Sequence, residues 1–440
     1  MEGWVDRVKS MIWDKQGECK NRNELREIQL ERLKWTVDRA YHNVPYYKQA
    51  FDEDGIKPED IQSLDDIVRL PFTAKTALRD NYPYGMFASP LRDIVRIHAS
   101  SGTTGKPIVV GYTRNDLENW TNMVARIITM AGVTSEDVAQ ICFGYGFFTG
   151  GFGLHYGMER VGATVVPASS GNTQKQIMLM QDFKTTALVA TPSYALYMAE
   201  VAKSMGVDLK TLSVRVGLFG GEACTDNMKR EIEKLWPMVA TDNYGLTEIM
   251  GPGVAGECGA EPGMHINEDH VFVEVIDPDT GEQLDYGQEG ELVLTTLTKE
   301  GIPIIRYRTR DITTLNPETC KCGRTTVRMA KTKGRTDDML IIRGVNVFPS
   351  QVEAVLYNIE GVTPHYQIIV TRHNYLDQME IQVEIRPEWF SDNYRDMIKI
   401  EEKIQKGLHK VLGIEAKITL VAPGSIERTT GKSKRVVDNR

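Results

Sequence analysis

Short β-rich segments alternate with helical patterns from about residue 94 to residue 311, and this alternation most constrains how the 440-residue chain can fold. The β-rich segments include VAQICF, ATVVPA, TALVAT and RVGLFG, and the helical patterns include NTQKQIMLMQDF and NMKREIEKLW. This rhythm predicts βαβ units and a largely parallel sheet. Residues 271–297 change to two alternating runs joined by Asp- and Gly-rich turns, which predicts a small antiparallel β subdomain.

Two further regions flank the alternating core. Upstream, apolar residues recur at near-helical spacing over residues 23–47, which predicts an amphipathic helix that leads into a turn at NVPYY. Downstream, LIIRGVNVFPSQVEAVLYNI predicts a strand, a turn and a helix, and further strands and a long charged helix follow, as in an independent small domain. We therefore expect an α/β protein with a large domain over residues 1–336 and a small α+β domain over residues 337–440.

Composition and net charge indicate which kind of binding partner the protein has. Hydrophobic residues make up 41% of the chain and charged residues 25%, which is ordinary for a globular protein. The formal net charge of −8, without a long Lys/Arg block, argues against broad binding to nucleic acid or membranes and favours small molecules. The first twenty residues lack the apolar stretch of a signal peptide, so we expect a cytoplasmic protein. The helix after Asn23 would suit a homodimer interface or simply cover the large domain.

The stretch HASSGTTGKPIVVGY predicts a loop between two strands that is rich in anion donors. Its hydroxyls, glycine amides and ammonium group come from Ser100, Ser101, Gly102, Thr103, Thr104, Gly105 and Lys106. This set suits a polyphosphate. It does not match the common nucleotide loop, which needs four residues between its glycines and Ser or Thr after the lysine, where this chain has Pro107. Taken alone, the stretch is equally typical of a plain hairpin turn.

Five more motifs carry candidate functional residues: GGE at 220–222, DNYGLTE at 242–248, RYRTRD at 306–311, GRTDDM at 334–339 and RTTGKSKR at 428–435. Singly, Glu248 is also typical of a solvated surface residue, Asp311 of a partner for the adjacent arginines, and Lys432 of a surface charge. The GKS within the last motif does not indicate a kinase, because Ile426 stands where the first glycine of that loop belongs.

Together, in this order and spacing, the six motifs resemble the adenylate-forming superfamily of acyl-CoA synthetases, luciferases and peptide-synthetase adenylation domains. Within it the chain is most similar to the phenylacetate-CoA ligase family. The likeness covers nearly the whole chain and extends to NVPYYKQAFDEDG, LPFTAKTALRDNYPYGMFA, GYGFFTGGFGLHYG, DNYGLTEIMGPGVAGEC and GRTDDMLIIRGVNVFP.

The resemblance implies that ATP activates a carboxylic acid as an acyl-adenylate, which then reacts with coenzyme A. Loop 100–106 would hold the β- and γ-phosphates, Glu248 would hold Mg²⁺ beside Thr247, and Lys432 would bridge the carboxylate and the α-phosphate. Asp311 would hold the ribose hydroxyls with Arg335 nearby. Gly220, Gly221, Glu222, Asp242 and Tyr244 would border the adenine, and Asn243 and Gly245 would complete the nucleotide site.

The resemblance also implies a mobile small domain that rotates between the two half-reactions, because Lys432 would otherwise obstruct the thiol. Asp337 matches the hinge. The rotated domain would present a CoA-side turn formed by Arg343, Gly344, Val345 and Asn346. Two alternatives stay open: an enzyme of this fold that loads a carrier protein, and a catalytically silent module that binds an acyl-adenylate or acyl-CoA. The presence of Lys432, Glu248 and Asp311 together argues against the silent module.

The stretch FGYGFFTGGFG indicates the shape of the acid. Phe143, Tyr145 and Phe148 offer aromatic faces, and the intervening glycines leave a flat slot for an aryl ring. We therefore expect an aryl acid such as phenylacetate or benzoate, by resemblance for the class and by the slot for the shape. The same aromatics are also typical of a plain core.

Three cysteines and one histidine form a candidate zinc site. Cys258 and His265 lie in ECGAEPGMH, and Cys320 and Cys322 lie in CKCGR. Zinc binds three thiolates and one imidazole tetrahedrally, and four protein ligands would make the site structural. Gly323 would suit a tight metal knuckle. Six cysteines are too few for a disulfide scaffold, and simple buried thiols remain the alternative.

Overall fold

The structure is a computed structural model that describes residues 11–100, 107–335, 340–342, 345–373, 376–390, 394–428 and 434–440. Its α-helices are α1 (Lys15–Glu18), α2 (Arg22–Asn43), α3 (Pro45–Glu53), α4 (Lys75–Asp80), α5 (Arg114–Met130), α6 (Thr149–Val161), α7 (Thr173–Asp182), α8 (Pro192–Ser204), α9 (Asp226–Leu235), α10 (Pro349–Leu356) and α11 (Tyr394–Leu412). Within these described residues, no helix is both long enough and apolar enough to cross a membrane.

The strands of the large domain are β1 (Arg96–Ala99), β2 (Val109–Tyr112), β3 (Val138–Ile141), β4 (Thr164–Val166), β5 (Ala187–Ala190), β6 (Val216–Phe219), β7 (Val239–Leu246), β8 (Gly251–Glu257), β9 (Met264–Ile266), β10 (Val271–Ile276), β11 (Gly290–Thr296), β12 (Tyr307–Thr313), β13 (Leu315–Asn316), β14 (Arg328–Met329) and β15 (Gly334–Arg335). The C-terminal domain contains β16 (Leu340–Ile342), β17 (Val345–Val347), β18 (Val362–His373), β19 (Leu376–Ile385), β20 (Lys417–Val421) and β21 (Val436–Asp438).

The largest sheet has the order β13-β14-β9-β8-β7-β6-β5-β3-β4. Strands β4, β3, β5, β6 and β7 are parallel, which confirms the βαβ prediction. β5 and β6 are buried along their whole length, as expected for parallel strands with helices on both faces. The other half of the sheet, from β7 to β13, is antiparallel, so the sheet is mixed.

A second sheet of order β10-β11-β12-β15 is antiparallel throughout and confirms the predicted subdomain. β1 and β2 pair as the predicted hairpin around loop 100–106. This arrangement brings the ends of β7 and β12 together, so residues from the two sheets can contact one another.

The predicted turn at NVPYY is wrong. α2 ends at Asn43, Val44 alone is extended, and Pro45 begins α3. Proline suits the first position of a helix because its fixed φ is helical and the N–H that it lacks would have no partner there. Trp35, one of the apolar residues at this helical spacing, is 40% exposed, and the Arg39 guanidinium lies 5.5 Å from its ring centroid.

The C-terminal domain has its own apolar core between α10, α11 and a four-stranded sheet of order β20-β19-β18-β21. Its first segment is a hairpin of β16 and β17 followed by α10, where the sequence predicted one strand before the helix. The predicted boundary at Asp337 lies outside the described residues and stays a prediction.

Candidate active site

The GGE and DNYGLTE motifs meet at the carboxyl ends of β6 and β7. Gly220 directly follows β6, and a Cβ atom at this position would lie 2.8 Å from the carbonyl oxygen of Asn243, so only glycine permits this close packing. Asn243 Nδ2 in turn donates to the carbonyl of Phe219 (2.6 Å). Glu222 Oε1 accepts a hydrogen bond from the backbone N–H of Ser193 (2.8 Å). Ligands of parallel α/β sheets bind outside this edge, so the predicted nucleotide residues occupy the expected place.

Asp311 joins this edge to the second sheet. Its register places it opposite Arg335 across β12 and β15. Tyr244 Oη donates to Asp311 Oδ2 (2.5 Å), and Arg335 Nη1 lies 3.7 Å from Oδ1. Burial, reinforced by the charge of Asp311, raises the pKa of Tyr244 well above its usual value, so the phenol stays protonated as a donor. The structure therefore brings Arg335 close to Asp311, as the resemblance implies, and adds Tyr244 as a hydrogen-bond partner of Asp311.

Glu248 is not a solvated surface residue: it is only 5% exposed. Tyr307 Oη donates to its Oε1 (3.2 Å), and Lys75 Nζ lies 3.9 Å from the same oxygen. The adjacent Thr247 Oγ1 lies 3.3 Å from Thr149 Oγ1. A buried carboxylate beside hydroxyls is the kind of oxygen cluster that Mg²⁺ prefers.

Lys299 lies beneath the Glu248 loop and was missed by sequence reasoning. The side chain is fully buried, and its Nζ donates to the backbone carbonyls of Glu248 (3.0 Å) and Ile249 (2.5 Å). Burial lowers the pKa of Lys299 to about 7, although the charges of Asp116 and Glu248 act in the opposite direction. A lysine in TLTKEG carries no sequence signal of burial, since lysines at such positions are usually exposed.

Asp242 also has a perturbed ionisation. Burial raises its pKa well above the usual value, and the charge of Glu257 acts in the same direction. Glu257 Oε2 accepts from both the Asp242 backbone N–H (2.9 Å) and Lys229 Nζ (2.9 Å). Burial therefore disfavours the charged form of Asp242, against the opposing charges of Lys331 and Lys229.

The three aromatic residues that were predicted to line the acid slot fall into two groups by the residues that their rings contact. The rings of Phe143 and Phe148 are tilted against each other at 6.2 Å, and Phe143 also reaches Gly221, where a Cβ would lie 3.6 Å from its Cε1. Tyr145 packs edge-on against Phe152 (5.3 Å), and its Oη lies 3.1 Å from His155 Nδ1. Phe143 thus borders the GGE turn, while Tyr145 contacts α6.

Several predicted residues lie outside the described part of the chain, and for Val345 and Asn346 only the backbone within β17 is described. The residues outside are Ser101, Gly102, Thr103, Thr104, Gly105, Lys106, Asp337, Arg343, Gly344 and Lys432. Ser100 is described: its Oγ accepts from the Ile108 N–H (3.0 Å), and its N–H donates to the Ile108 carbonyl (2.9 Å). These bonds close the base of the predicted phosphate loop.

The four predicted zinc ligands converge. The ligand atoms of Cys258, His265, Cys320 and Cys322 all lie within 4.8 Å of one another, and all four residues are buried. Cys258 Sγ and Cys320 Sγ are 3.7 Å apart, and Cys322 Sγ lies 3.5 Å from His265 Nε2. Tetrahedral zinc with bonds of about 2.3 Å to sulfur and about 2.0 Å to nitrogen gives edges of about 3.8 and 3.5 Å. The sulfur separation is far beyond a disulfide bond of about 2.0 Å.

The surroundings of the cluster orient its ligands. His265 Nδ1 lies 3.1 Å from Thr326 Oγ1, which leaves Nε2 facing the thiols, as in the supporting shell of many metal sites. Gly323 adopts φ +91° and donates its N–H to the Cys320 carbonyl (2.9 Å), which forms the predicted knuckle. Arg324 is buried and its Nε donates to Glu18 Oε2 (2.5 Å), so α1 packs against the knuckle. Sequence reasoning found the ligands but missed Thr326 and Glu18.

The chain matches the AMP-binding enzyme family over residues 22–297 and the AMP-binding enzyme C-terminal domain over residues 344–440. It is 50% identical over 423 residues to the phenylacetate-coenzyme A ligase of Aromatoleum evansii, which covers 96% of either chain. Among solved structures it resembles 2-hydroxyisobutyryl-CoA ligase at 29% identity, over 98% of this chain and 93% of that chain. The TM-score is 0.93 for that ligase in the postadenylation state in complex with 2-HIB-AMP. It is 0.73 for the complex with 2-HIB-AMP and CoA in the thioesterification state, at the same identity and coverage.

Proposed function

The chain belongs to the AMP-binding enzyme family, within its group of phenylacetate-coenzyme A ligases, and we propose that it converts an aryl acid to its coenzyme A thioester. The acid is phenylacetate or a similar compound such as benzoate. The reaction consumes ATP, passes through an acyl-adenylate and releases AMP and pyrophosphate. The observation that carries the proposal is the meeting of Tyr244, Asp311 and Arg335 with the buried Glu248 at one edge of the sheet. Tyr307 links the two groups, because it donates to Glu248 and lies near the charges of Arg335 and Asp311.

In the first half-reaction a carboxylate oxygen of the acid bonds to the α-phosphorus of ATP, and the bond from that phosphorus to the bridging oxygen breaks. Because anion approaches anion, the site must present fixed cations and donors to the developing charge. Loop 100–106 supplies such donors for the β- and γ-phosphates, and Lys432 supplies a cation between the carboxylate and the α-phosphate. Asp311 accepts from the ribose hydroxyls, with Tyr244 and Arg335 holding its carboxylate in place.

Magnesium fits the chain's residues at Glu248. The carboxylate is buried, belongs to the residue that follows Thr247 in the chain, and has one oxygen that accepts a hydrogen bond from Tyr307. When bound, Mg²⁺ offsets the negative charge of the phosphates. Lys299 holds the backbone carbonyls of Glu248 and Ile249 from below, which fixes the direction of this loop.

The acid slot is assigned to Phe143 and Phe148, with Tyr145 at its border. Phe143 reaches Gly221, so a ring beside it would place its carboxylate near the nucleotide residues of the GGE turn. A slot with two tilted aromatic rings suits a flat apolar group. In the second half-reaction the CoA thiolate attacks the acyl carbon, and the bond from that carbon to the phosphate oxygen breaks. We assign Asp337 as the hinge and Arg343, Gly344, Val345 and Asn346 as the CoA-side turn of that step.

A structural zinc ion fits Cys258, His265, Cys320 and Cys322. The sulfur and nitrogen separations agree with tetrahedral edges, and Thr326 faces the other nitrogen of His265. Four protein ligands leave no position for substrate, so the ion would supply stability rather than chemistry. It would tie the end of β8, which follows the Glu248 loop, to the knuckle that follows β13.

A panel assay tests the proposed function. Purified protein is incubated with ATP, Mg²⁺ and each of several carboxylic acids, with and without CoA, and both pyrophosphate and thioester are followed. Fastest thioester formation from phenylacetate or benzoate supports the proposal. Pyrophosphate release without thioester formation would indicate that the acyl group passes to a carrier protein instead of to free CoA. No acid-dependent pyrophosphate release at all would contradict the proposed function.

A further inference from the structure

Glu200 connects the two domains near the end of α8. Its Oε1 lies 2.8 Å from His365 Nε2, and its Oε2 accepts from Arg428 Nε (3.2 Å). Both partners belong to the C-terminal domain. A carboxylate can only accept, so His365 Nε2 carries the proton of that hydrogen bond. Burial acts to raise the pKa of Glu200, but the hydrogen bond and charge of His365 and the charge of Arg428 outweigh it and hold the pKa below its usual value.

Arg428 is fixed within its own domain by a second carboxylate. Its Nη2 donates to Glu384 Oε1 (2.7 Å) and its Nη1 to Glu384 Oε2 (2.9 Å), which is the paired geometry that guanidinium and carboxylate groups favour. Glu384 is only 2% exposed on β19. With two nitrogens held from inside the domain, the remaining Nε faces Glu200. The bonds to Glu384 therefore hold Arg428 in an orientation in which its Nε can donate to the large domain.

The position of Arg428 in the chain gives this contact a functional meaning. Arg428 stands four residues before Lys432, to which we assign a role in acyl-adenylate formation. The chain agrees much better with the postadenylation state of 2-hydroxyisobutyryl-CoA ligase than with its thioesterification state. Because identity and coverage are the same in the two comparisons, conformation accounts for the difference. The Glu200 contact thus belongs to the domain arrangement that holds an acyl-adenylate before CoA binds.

We propose that Glu200, His365 and Arg428 form an interdomain latch that positions the C-terminal domain for acyl-adenylate formation and opens before thioester formation. The proposal rests on the proposed function. The Glu200 side chain is 41% exposed, against 16% for Arg428 and 10% for His365. Ion pairs with one partly solvated member are weak, so such a latch biases the two arrangements without preventing their exchange. Glu200, His365 and Arg428 are positioning residues, since none of them is placed on substrate.

The half-reactions can be measured separately. Adenylation is followed as pyrophosphate released in a single turnover from ATP and phenylacetate without CoA. Thioester formation is followed after mixing the enzyme with preformed phenylacetyl-adenylate and CoA. Glu200→Gln keeps the size of the side chain and removes its charge. We expect adenylation to slow by about three- to tenfold, whereas thioester formation from the supplied adenylate stays equal or becomes faster.

A variant on the other domain tests the same contact. His365→Leu removes the imidazole N–H and supplies no other donor to Glu200, and we expect the same split between the half-reactions. The double variant should slow adenylation by less than the product of the two single effects, because both changes act on the Glu200–His365 contact. The control is Glu136→Gln, which changes an exposed glutamate before β3 and should leave both rates as in the wild type.

Three results would overturn the latch. Equal slowing of both half-reactions by Glu200→Gln would indicate a merely structural role. Wild-type rates in both half-reactions would show that the contact does not matter. A wild-type protein without acid-dependent pyrophosphate release would remove the proposed function and the latch with it, whereas the first two results leave the proposed function standing.

Discussion

Replacement of Lys299 by methionine tests whether this buried amine sets the pH dependence of stability. The pKa of Lys299 is about 7 in the folded chain and 10.5 in an unconstrained lysine, because burial disfavours the charged form. Between these two values the unfolded chain binds a proton that the folded chain does not. Stability of the wild type therefore rises with pH in this window, by about 1.4 kcal/mol per pH unit. Lys299→Met abolishes this dependence, while it also removes the two hydrogen bonds to Glu248 and Ile249.

The assay compares melting temperatures of wild type and variant at pH 7.5 and 9.5. Over these two pH units the wild type should gain about 2.7 kcal/mol relative to Lys299→Met. For a domain of this size that corresponds to a relative rise in melting temperature of about 4 °C. Lys203→Met, which changes an exposed lysine on α8, serves as the control and should show no such trend. A melting-temperature difference that is the same at both pH values, or that moves against the wild type as pH rises, would show that Lys299 does not have a lowered pKa in the folded chain.

Three further changes have defined outcomes. Cys322→Ser should lower bound zinc, measured by elemental analysis, from about one equivalent to well below one, and a full equivalent in the variant would contradict the assignment. Tyr244→Phe removes the hydrogen bond to Asp311, so KM for ATP should rise up to about tenfold, with little change in KM for the acid. An unchanged KM for ATP would show that Tyr244 does not hold the Asp311 carboxylate in place for ATP. Phe148→Ala opens the acid slot, so kcat/KM for phenylacetate should fall about tenfold while KM for ATP stays constant, and equal effects on both substrates would indicate a core residue.

The central architecture was predictable because its signals are local. Parallel strands such as β5 and β6 are short apolar runs that a helical pattern separates, and each signal fits within a few residues. The CKCGR knuckle was predictable for the same reason, since its two thiols and Gly323 are nearly consecutive. The NVPYY segment misled because proline is as typical of a turn as of the first residue of a helix.

The contacts that orient the site were not predictable from local pattern. Lys299 and Glu248 are 51 residues apart, Glu200 and Arg428 are 228 apart, and Arg324 and Glu18 are 306 apart. Nothing in the neighbouring residues marks any of these side chains as buried or paired. The burial of Glu248 likewise depends on Tyr307 from another sheet, so its solvated interpretation was reasonable until the sheets were assembled.

A CoA-chase experiment separates the two half-reactions on the enzyme itself. The enzyme is mixed with ATP, Mg²⁺ and phenylacetate in the absence of CoA, and enzyme-bound phenylacetyl-adenylate is measured before CoA is added. We expect one equivalent of pyrophosphate and of adenylate to form first, and CoA then to convert the adenylate to phenylacetyl-CoA with release of AMP. Failure to form the adenylate, or an adenylate that CoA does not consume, would contradict the proposed function.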